Sequence, residues 1–259
     1  PLLVDNAHGA YLKFLPTSQH PMDLGADLCC DSAHKTLPVL TGGAYLHFRD
    51  ARMADRVKAA MALFGSTSPS WLVLQSLDAV NPYLERLPDA AAATTFGIAA
   101  LKNELLTHGF SLIGDEPWKL TIDASQWGYS GEEMASLLEQ GNIFSEFADW
   151  EYIVFMLTPE NTPEQLELLQ KTLCEIPRKA LKPARPLLPS APEVICSPRQ
   201  AAFSPQERIP VECSLGRVLA EANVACPPAV PIIMCGERID RVAQESLRRC
   251  GVKYVTVVK

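Results

Sequence analysis

Asp5 and Lys35, about thirty residues apart, carry the chemistry that this chain can do. Asp5 closes the apolar run Leu2 to Val4. Lys35 closes a Ser-x-His-Lys run, formed by Ser32, His34 and Lys35, just ahead of the pair Gly42-Gly43. A lysine amine set beside a hydroxyl and an imidazole is equipped to form an imine with an aldehyde. An acid at the C-terminal end of a buried strand is equipped to hold a ring nitrogen protonated. The combination points to pyridoxal 5'-phosphate, with Lys35 as the Schiff-base lysine and Asp5 as the acid on the pyridine nitrogen. Ser32 and His34 would donate to phosphate oxygens.

Other polar residues have weaker claims. His8, three residues after Asp5, is placed to touch the cofactor or the substrate carboxylate, or to serve the structure alone. Ser66 and Thr67 are hydroxyls near a helix start, which suits an anion and equally suits a simple cap. His20, His47 and His108 read as structural, and no metal-ligand set is expected.

The bulk numbers narrow the class. The chain has 259 residues, 47% of them hydrophobic, which allows a sizeable core and more than one domain. A net charge of -7 argues against a nucleic-acid surface, which needs a basic face. The eight cysteines include no Cys-x-x-Cys and read as reduced, mostly buried thiols of a cytoplasmic protein. No apolar run of about eighteen residues is present to span a membrane. The chain starts without Met, inside a strand-like PLLVD, and is expected to be a piece of something longer.

Around these residues the pattern predicts an α/β fold. Leu2 to Val4 and Ala26 to Cys30 read as short buried strands, joined by a loop-like Gly9 to Pro21, and Gly43 to Phe48 reads as the next strand. Arg49 to Phe64 has helical spacing, with Met53, Val57, Ala60, Met61 and Phe64 on one face. The last residues of the loop 65–70 are expected to cap a helix, with Pro69 in its first turn. Trp71 to Val80 is apolar nearly all round and is expected to be a buried helix. Pro82 to Leu87 and Ala90 to His108 read as a helix and a closing helix, ended by Gly109. A smaller α+β region follows. It has strands at Trp118–Asp123 and Tyr152–Leu157, a helix over 130–140 with a Ser130/Glu133 capping box, and a helix over 162–173. Residues 177–198 hold six prolines and read as a linker. A helix and the strand Lys253–Val258 close the chain. The expected domains are 1–108, 109–182 and 183–259.

These segments resemble the bacterial pyridoxal-phosphate-dependent ornithine/lysine/arginine decarboxylases, in their aspartate-aminotransferase-like fold. VDNAHGAY is similar to the family's V-D-E-A-H-G-A-H, and DSAHKTLPVLTGGAYLH to its S-x-H-K-T-L-P-x-L-T segment. STSPSWLVLQSLD is similar to T-S-P-S-Y-x-L-L-A-S-L-D. GRVLAEANVACPPAVPIIMCGE is similar to the C-terminal G-R-x-x-A-E…P-Y-P-P-G-I-P-x-x-x-P-G-E. The chain departs from the pattern at Asn6 (usually Glu), Tyr11 (usually His), Cys226 (Tyr), Ala229 (Gly) and Cys235 (Pro).

The resemblance implies the C-terminal part of a large cofactor-binding domain, then a small α+β domain and a C-terminal domain. It implies catalytic roles for Lys35, Asp5 and His8. It also implies cofactor contacts from Asp5, Ala7, His8, Ser32, His34, Lys35, Ser66 and Thr67, the last two reaching the phosphate of a partner subunit. The expected reaction is decarboxylation of a basic amino acid in a homodimer or higher oligomer with shared sites. The alternatives are an aminotransferase or lyase of the same fold, with Arg178, Arg185 or Arg217 on the substrate carboxylate, or a catalytically silent folding unit. Glu146 and Asp149 are candidates for recognising the substrate's basic head.

Overall fold

The computed structural model describes residues 1–66, 68–181, 191–221, 225–226 and 230–259, with side chains described outside 225, 226 and 230. Within it the chain divides into two compact units. The first holds Pro1–Glu104, Asp115–Lys119 and Leu157–Gln170, and the second holds Leu105–Gly114, Leu120–Met156 and Lys171–Lys259.

The first unit carries a three-stranded sheet in the order β1 (Leu3–Asp5), β2 (Leu28–Asp31), β3 (Tyr45–Phe48). β1 and β2 run parallel, with Asp5 opposite Cys30. β2 and β3 run antiparallel, with Cys29 opposite His47 and Asp31 opposite Tyr45. Alternation therefore puts Cys29, Asp31, Tyr45 and His47 on one face of the sheet, and Asp5 and Cys30 on the other. β1 is parallel as expected, but it is not buried: it is an edge strand, and Leu3 is exposed. The expected loop after β1 contains a 3-10 turn, Ala10–Phe14, held by Tyr11. The Tyr11 ring is buried and stacks on Trp118 at 4.2 Å, and its hydroxyl donates to Glu116 Oε1 at 3.1 Å. That packing accounts for an aromatic ring where the family pattern has His.

Lys35 lies on one turn of helix, α1 (Ala33–Thr36), rather than in an open turn. The 49–64 segment splits into a short 3-10 turn, Ala51–Met53, and α2 (Ala54–Phe64), whose apolar residues Met61 and Phe64 are exposed. α3 (Trp71–Ala79) begins after Ser70, whose Oγ accepts the Val73 amide, so Pro69 precedes the cap instead of entering the first turn. The expectation that α3 is buried fails, because Trp71, Leu72 and Leu74 face outward. An all-apolar helix is buried only where neighbours surround it, and α3 docks along one side alone. There Ser76 Oγ accepts the Leu40 amide and the Leu77 carbonyl faces the Tyr45 hydroxyl.

The two helices expected on either side of Pro88 are one, α4 (Asn81–His108), with Pro88 inside. Proline removes one backbone bond, yet the buried stripe Leu87, Ala91, Ile98, Leu101, Leu105 keeps its phase through it.

The second unit carries the sheet β4 (Leu112–Ile113), β5 (Lys119–Asp123, whose first residue lies in the first unit), β7 (Tyr152–Met156), β6 (Phe147–Ala148), in that spatial order. α5 (Gly131–Glu139) starts with the expected capping box. Ser130 Oγ accepts the Glu133 amide at 3.1 Å, and Glu133 Oε2 accepts the Ser130 amide at 2.8 Å. α6 (Pro163–Glu175), which belongs to the first unit as far as Gln170, has Pro163 in its first turn. α7 (Pro198–Phe203) follows the prolines, and β8 (Gln206–Pro210) pairs antiparallel with the terminal strand. The short strands β9 (Ala225–Cys226) and β10 (Val230–Pro231) pair with each other. α8 (Arg241–Arg249) and β11 (Tyr254–Val258) complete a core around Val211, Leu219, Ile239, Leu247, Val255 and Val257.

The cysteines are less buried than expected. Among the described ones Cys29 and Cys235 are buried, while Cys30, Cys213 and Cys250 are exposed. Cys30 follows from strand alternation, which turns it away from Cys29.

Candidate active site

Parallel pairing of β1 with β2 brings the ends of two strands together. One ends at Asp5, and the other leads through Ser32 into α1 and Lys35. Asp5 and Lys35 are both exposed, while Ala7, His8, Ser32 and His34 are half-buried around them. The Lys35 amine lies 3.1 Å from His8 Nε2. The two nitrogens are close enough to share a hydrogen bond. This contact places His8 at Lys35 itself.

His34 is held differently from the expectation. Its Nδ1 sits 3.0 Å from the Gly43 carbonyl, and its amide donates to the same oxygen at 3.2 Å. A carbonyl only accepts, so Nδ1 carries the proton and Nε2 of the neutral ring is an acceptor. Donation to a phosphate therefore requires the imidazolium. The glycine pair makes this geometry accessible. Gly42 has φ +98, and a Cβ on Gly43 would lie 2.3 Å from Val39 Cγ1. Ser32 stands at the start of α1 and makes no capping bond with its hydroxyl.

Ser66 is not at a helix start. It lies between α2 and α3, exposed, with its Oγ accepting the Ser68 amide at 3.0 Å, and Thr67 lies outside the described residues. Asp149 Oδ1 accepts the amides of Glu151 and Tyr152 and so caps a turn, while Glu146 is exposed. Arg217 pairs with Glu207 at 2.6 Å and with the Val258 carbonyl. Arg178 lies over the Trp127 ring, and Arg185 lies outside the described residues.

The largest surprise is Asp31, which is 2% exposed and sits directly before Ser32. Its Oδ2 accepts His20 Nε2 at 3.0 Å and His47 Nε2 at 2.8 Å. Its Oδ1 accepts Asn6 Nδ2 at 2.7 Å and faces the Cys29 thiol at 3.5 Å. Burial alone would raise its pKa, but the donors from His47, His20 and Asn6 outweigh it and hold the carboxyl at about 2. Burial, then the Asp31 charge, pushes the Cys29 thiol up to about 12. His20, Cys29 and Asp31 have ligand atoms within 4.8 Å of one another. However, His20 Nδ1 accepts the Met22 amide at 3.3 Å, which leaves the ring proton on Nε2, the nitrogen a metal would need. The group is a hydrogen-bond hub. His20 and His47 are members of this hub. Its sequence signal was an acid next to the Ser-x-His-Lys run, on the inward phase of β2.

The residues present fit pyridoxal phosphate. An exposed amine, an exposed carboxylate and the Ser32 hydroxyl are displayed at adjoining strand ends. Beside Lys35, Thr36 Oγ1 is buried without a hydrogen-bond partner among the described residues.

Comparison with known proteins agrees. Residues 1–95 match the family described as Orn/Lys/Arg decarboxylase, major domain. The chain is 32% identical to an uncharacterised Bacillus subtilis protein, YaaO, over 96% of this chain and 55% of that one. It is 30% identical to a B. subtilis arginine decarboxylase, over 92% of this chain and 53% of the relative. A Francisella novicida lysine decarboxylase superposes with TM-score 0.75 at 16% identity, covering all of this chain and 53% of that structure. The Escherichia coli constitutive lysine decarboxylase gives 0.74 at 17%, covering 99% and 54%. The chain thus spans about half the length of these relatives. Sequence and fold converge: residues 1–95 match the Orn/Lys/Arg decarboxylase major domain, and the chain as a whole is similar to decarboxylases of that group.

Proposed function

We propose that this protein takes part in pyridoxal-phosphate-dependent decarboxylation of a basic amino acid, ornithine, lysine or arginine, releasing CO2 and the amine. The observation that supports it most is the parallel pairing of the strand that ends at Asp5 with the strand that leads into Lys35, with His8 Nε2 3.1 Å from the lysine amine. Pyridoxal phosphate, when bound, supplies the electron-accepting ring that stabilises charge left on the substrate carbon as CO2 departs. Lys35 supplies the amine that anchors it. Asp5 holds a proton at the ring nitrogen. His8 Nε2 accepts a proton from the Lys35 amine and returns it. Ser32, and His34 as an imidazolium, hold the phosphate, with Ala7 against the cofactor. Ser66 and Thr67 are assigned to the phosphate of a partner subunit, in a cytoplasmic homodimer or higher oligomer. No described helix is long and apolar enough to cross a membrane. The pairing of Arg217 with Glu207 weighs against an aminotransferase-like carboxylate clamp there.

The test is product analysis of the protein offered all three amino acids with pyridoxal phosphate. CO2 with one diamine or agmatine-type amine is expected, and Lys35→Ala should lose both product and visible cofactor absorbance. A keto acid product, or a folded protein without cofactor absorbance, would overturn the reading.

A further inference from the structure

The Asp31 hub lies on the opposite sheet face from Asp5, yet it is joined to both ends of the site. Asn6 follows Asp5 directly, and Asp31 precedes Ser32 and α1 directly. The 2.7 Å bond from Asn6 Nδ2 to Asp31 Oδ1 therefore ties the chain just past the acid to the chain just before the lysine. One backbone bond, from the Asn6 amide to the Cys30 carbonyl at 2.9 Å, extends the strand pairing to the same point.

Asp31 is itself immobilised. Asp31 is held on its other oxygen by His20 from the 15–27 connection and by His47 from β3. Gly9 leaves the Asn6 amide room, since a Cβ there would overlap Asn6 Oδ1. The pairing is also chemically selective. Asp31 is a buried acceptor and Asn6 offers a donor. A carboxylate at position 6, the type of side chain usual in the family pattern, would face Asp31 with like charge.

We propose that Asn6 and Asp31 form a positioning pair that fixes Asp5 and Lys35 relative to each other. Neither residue touches the reacting atoms. They act through the two strand ends. The role as a cofactor-site device rests on the pyridoxal phosphate reading, whereas the effect on Lys35 does not.

The test uses the full chain and two readouts: pyridoxal phosphate affinity, from the visible absorbance band, and the rate at which an amine-acylating reagent labels Lys35, read by mass spectrometry. Asn6→Asp should weaken cofactor binding about ten-fold and change Lys35 labelling several-fold. In the exchange variant, Asn6→Asp with Asp31→Asn, the amide oxygen at 31 receives both histidines and its nitrogen donates to the new carboxylate. Both readouts should return to within about two-fold of wild type. Asn6→Ala removes the bridge without adding charge, so it serves if Asn6→Asp does not fold, and it should shift both readouts in the same direction. Wild-type values in Asn6→Asp and Asn6→Ala, or a loss that the exchange fails to restore, would overturn the proposal. If the wild-type chain shows no cofactor band, the decarboxylase reading fails, and Lys35 labelling alone still decides for or against the pair.

Discussion

Replacing Asp31 by Asn keeps the shape of the side chain and removes its charge. Two routes give the cost. Hydrogen bonds to a charged acceptor contribute about 1.5–3 kcal/mol each and neutral ones about 0.5–1.5, so each of the two histidine bonds loses about 1 kcal/mol, and the bond to Asn6 survives only if that amide turns its oxygen toward the new nitrogen. The His47 side chain is 39% exposed and water replaces part of its loss, which leaves roughly 2 kcal/mol in total. Proton linkage gives the second route. The carboxyl sits at about 2 in the folded protein against an ordinary 3.8. A depressed acid adds stability that is full above the unfolded value and is lost as pH falls through the folded one. The difference corresponds to about 2 kcal/mol. The two routes agree. At neutral pH, Asp31→Asn should lower Tm by roughly 5–8 °C for a chain of this size. Between pH 4 and 2 the gap between wild type and variant should close, because only the wild type loses this group's contribution. Thermal unfolding of both proteins across that window measures it, and the difference cancels every other carboxylate. An unchanged Tm at pH 7, or a constant gap down to pH 2, would refute the reasoning.

Two further outcomes follow from local geometry. Ser130→Ala removes half of the capping box at α5 and should cost about 1 kcal/mol in urea unfolding, with cofactor binding unchanged. Gly42→Val forces a β-branched residue to φ +98 and should cost about 1–3 kcal/mol. Because Gly43 presents its carbonyl to His34, the same variant should also weaken pyridoxal phosphate binding, measured by titration of its absorbance.

Features set by neighbours in sequence were legible. The Ser130/Glu133 box, the Ser70 cap and the first-turn Pro163 are set within three or four residues, and local spacing reveals them. The Asp5 and Lys35 positions were legible because each is tied to the end of a short strand. Burial was not legible where it depends on what lies alongside. Leu3 and Trp71 read as core from their own segments and are exposed, because β1 is an edge and α3 has one docked side. Pro88 read as a break because its local effect is real, but the buried stripe that overrides it spans nearly twenty residues. The Asp31 hub was legible only as an acid beside the Ser-x-His-Lys run, and its partners were not, for the same reason. It gathers residues 6, 20, 29, 31 and 47, and only the strand register brings them together.

Tyr11 has a consequence for how the polypeptide is made. Its hydrogen-bond partner Glu116 is added to the chain 105 residues later, and its stacking partner Trp118 just after that. At ordinary ribosomal speeds of about 5–20 residues per second, the Tyr11 ring waits roughly 5–20 s for them. The segment that bears Asp5 and His8 is therefore synthesised well before it is locked, with an aromatic ring exposed to the ribosome surface and to chaperones in the interval. A synonymous-codon change that slows translation between 20 and 115 lengthens that interval without altering a single residue.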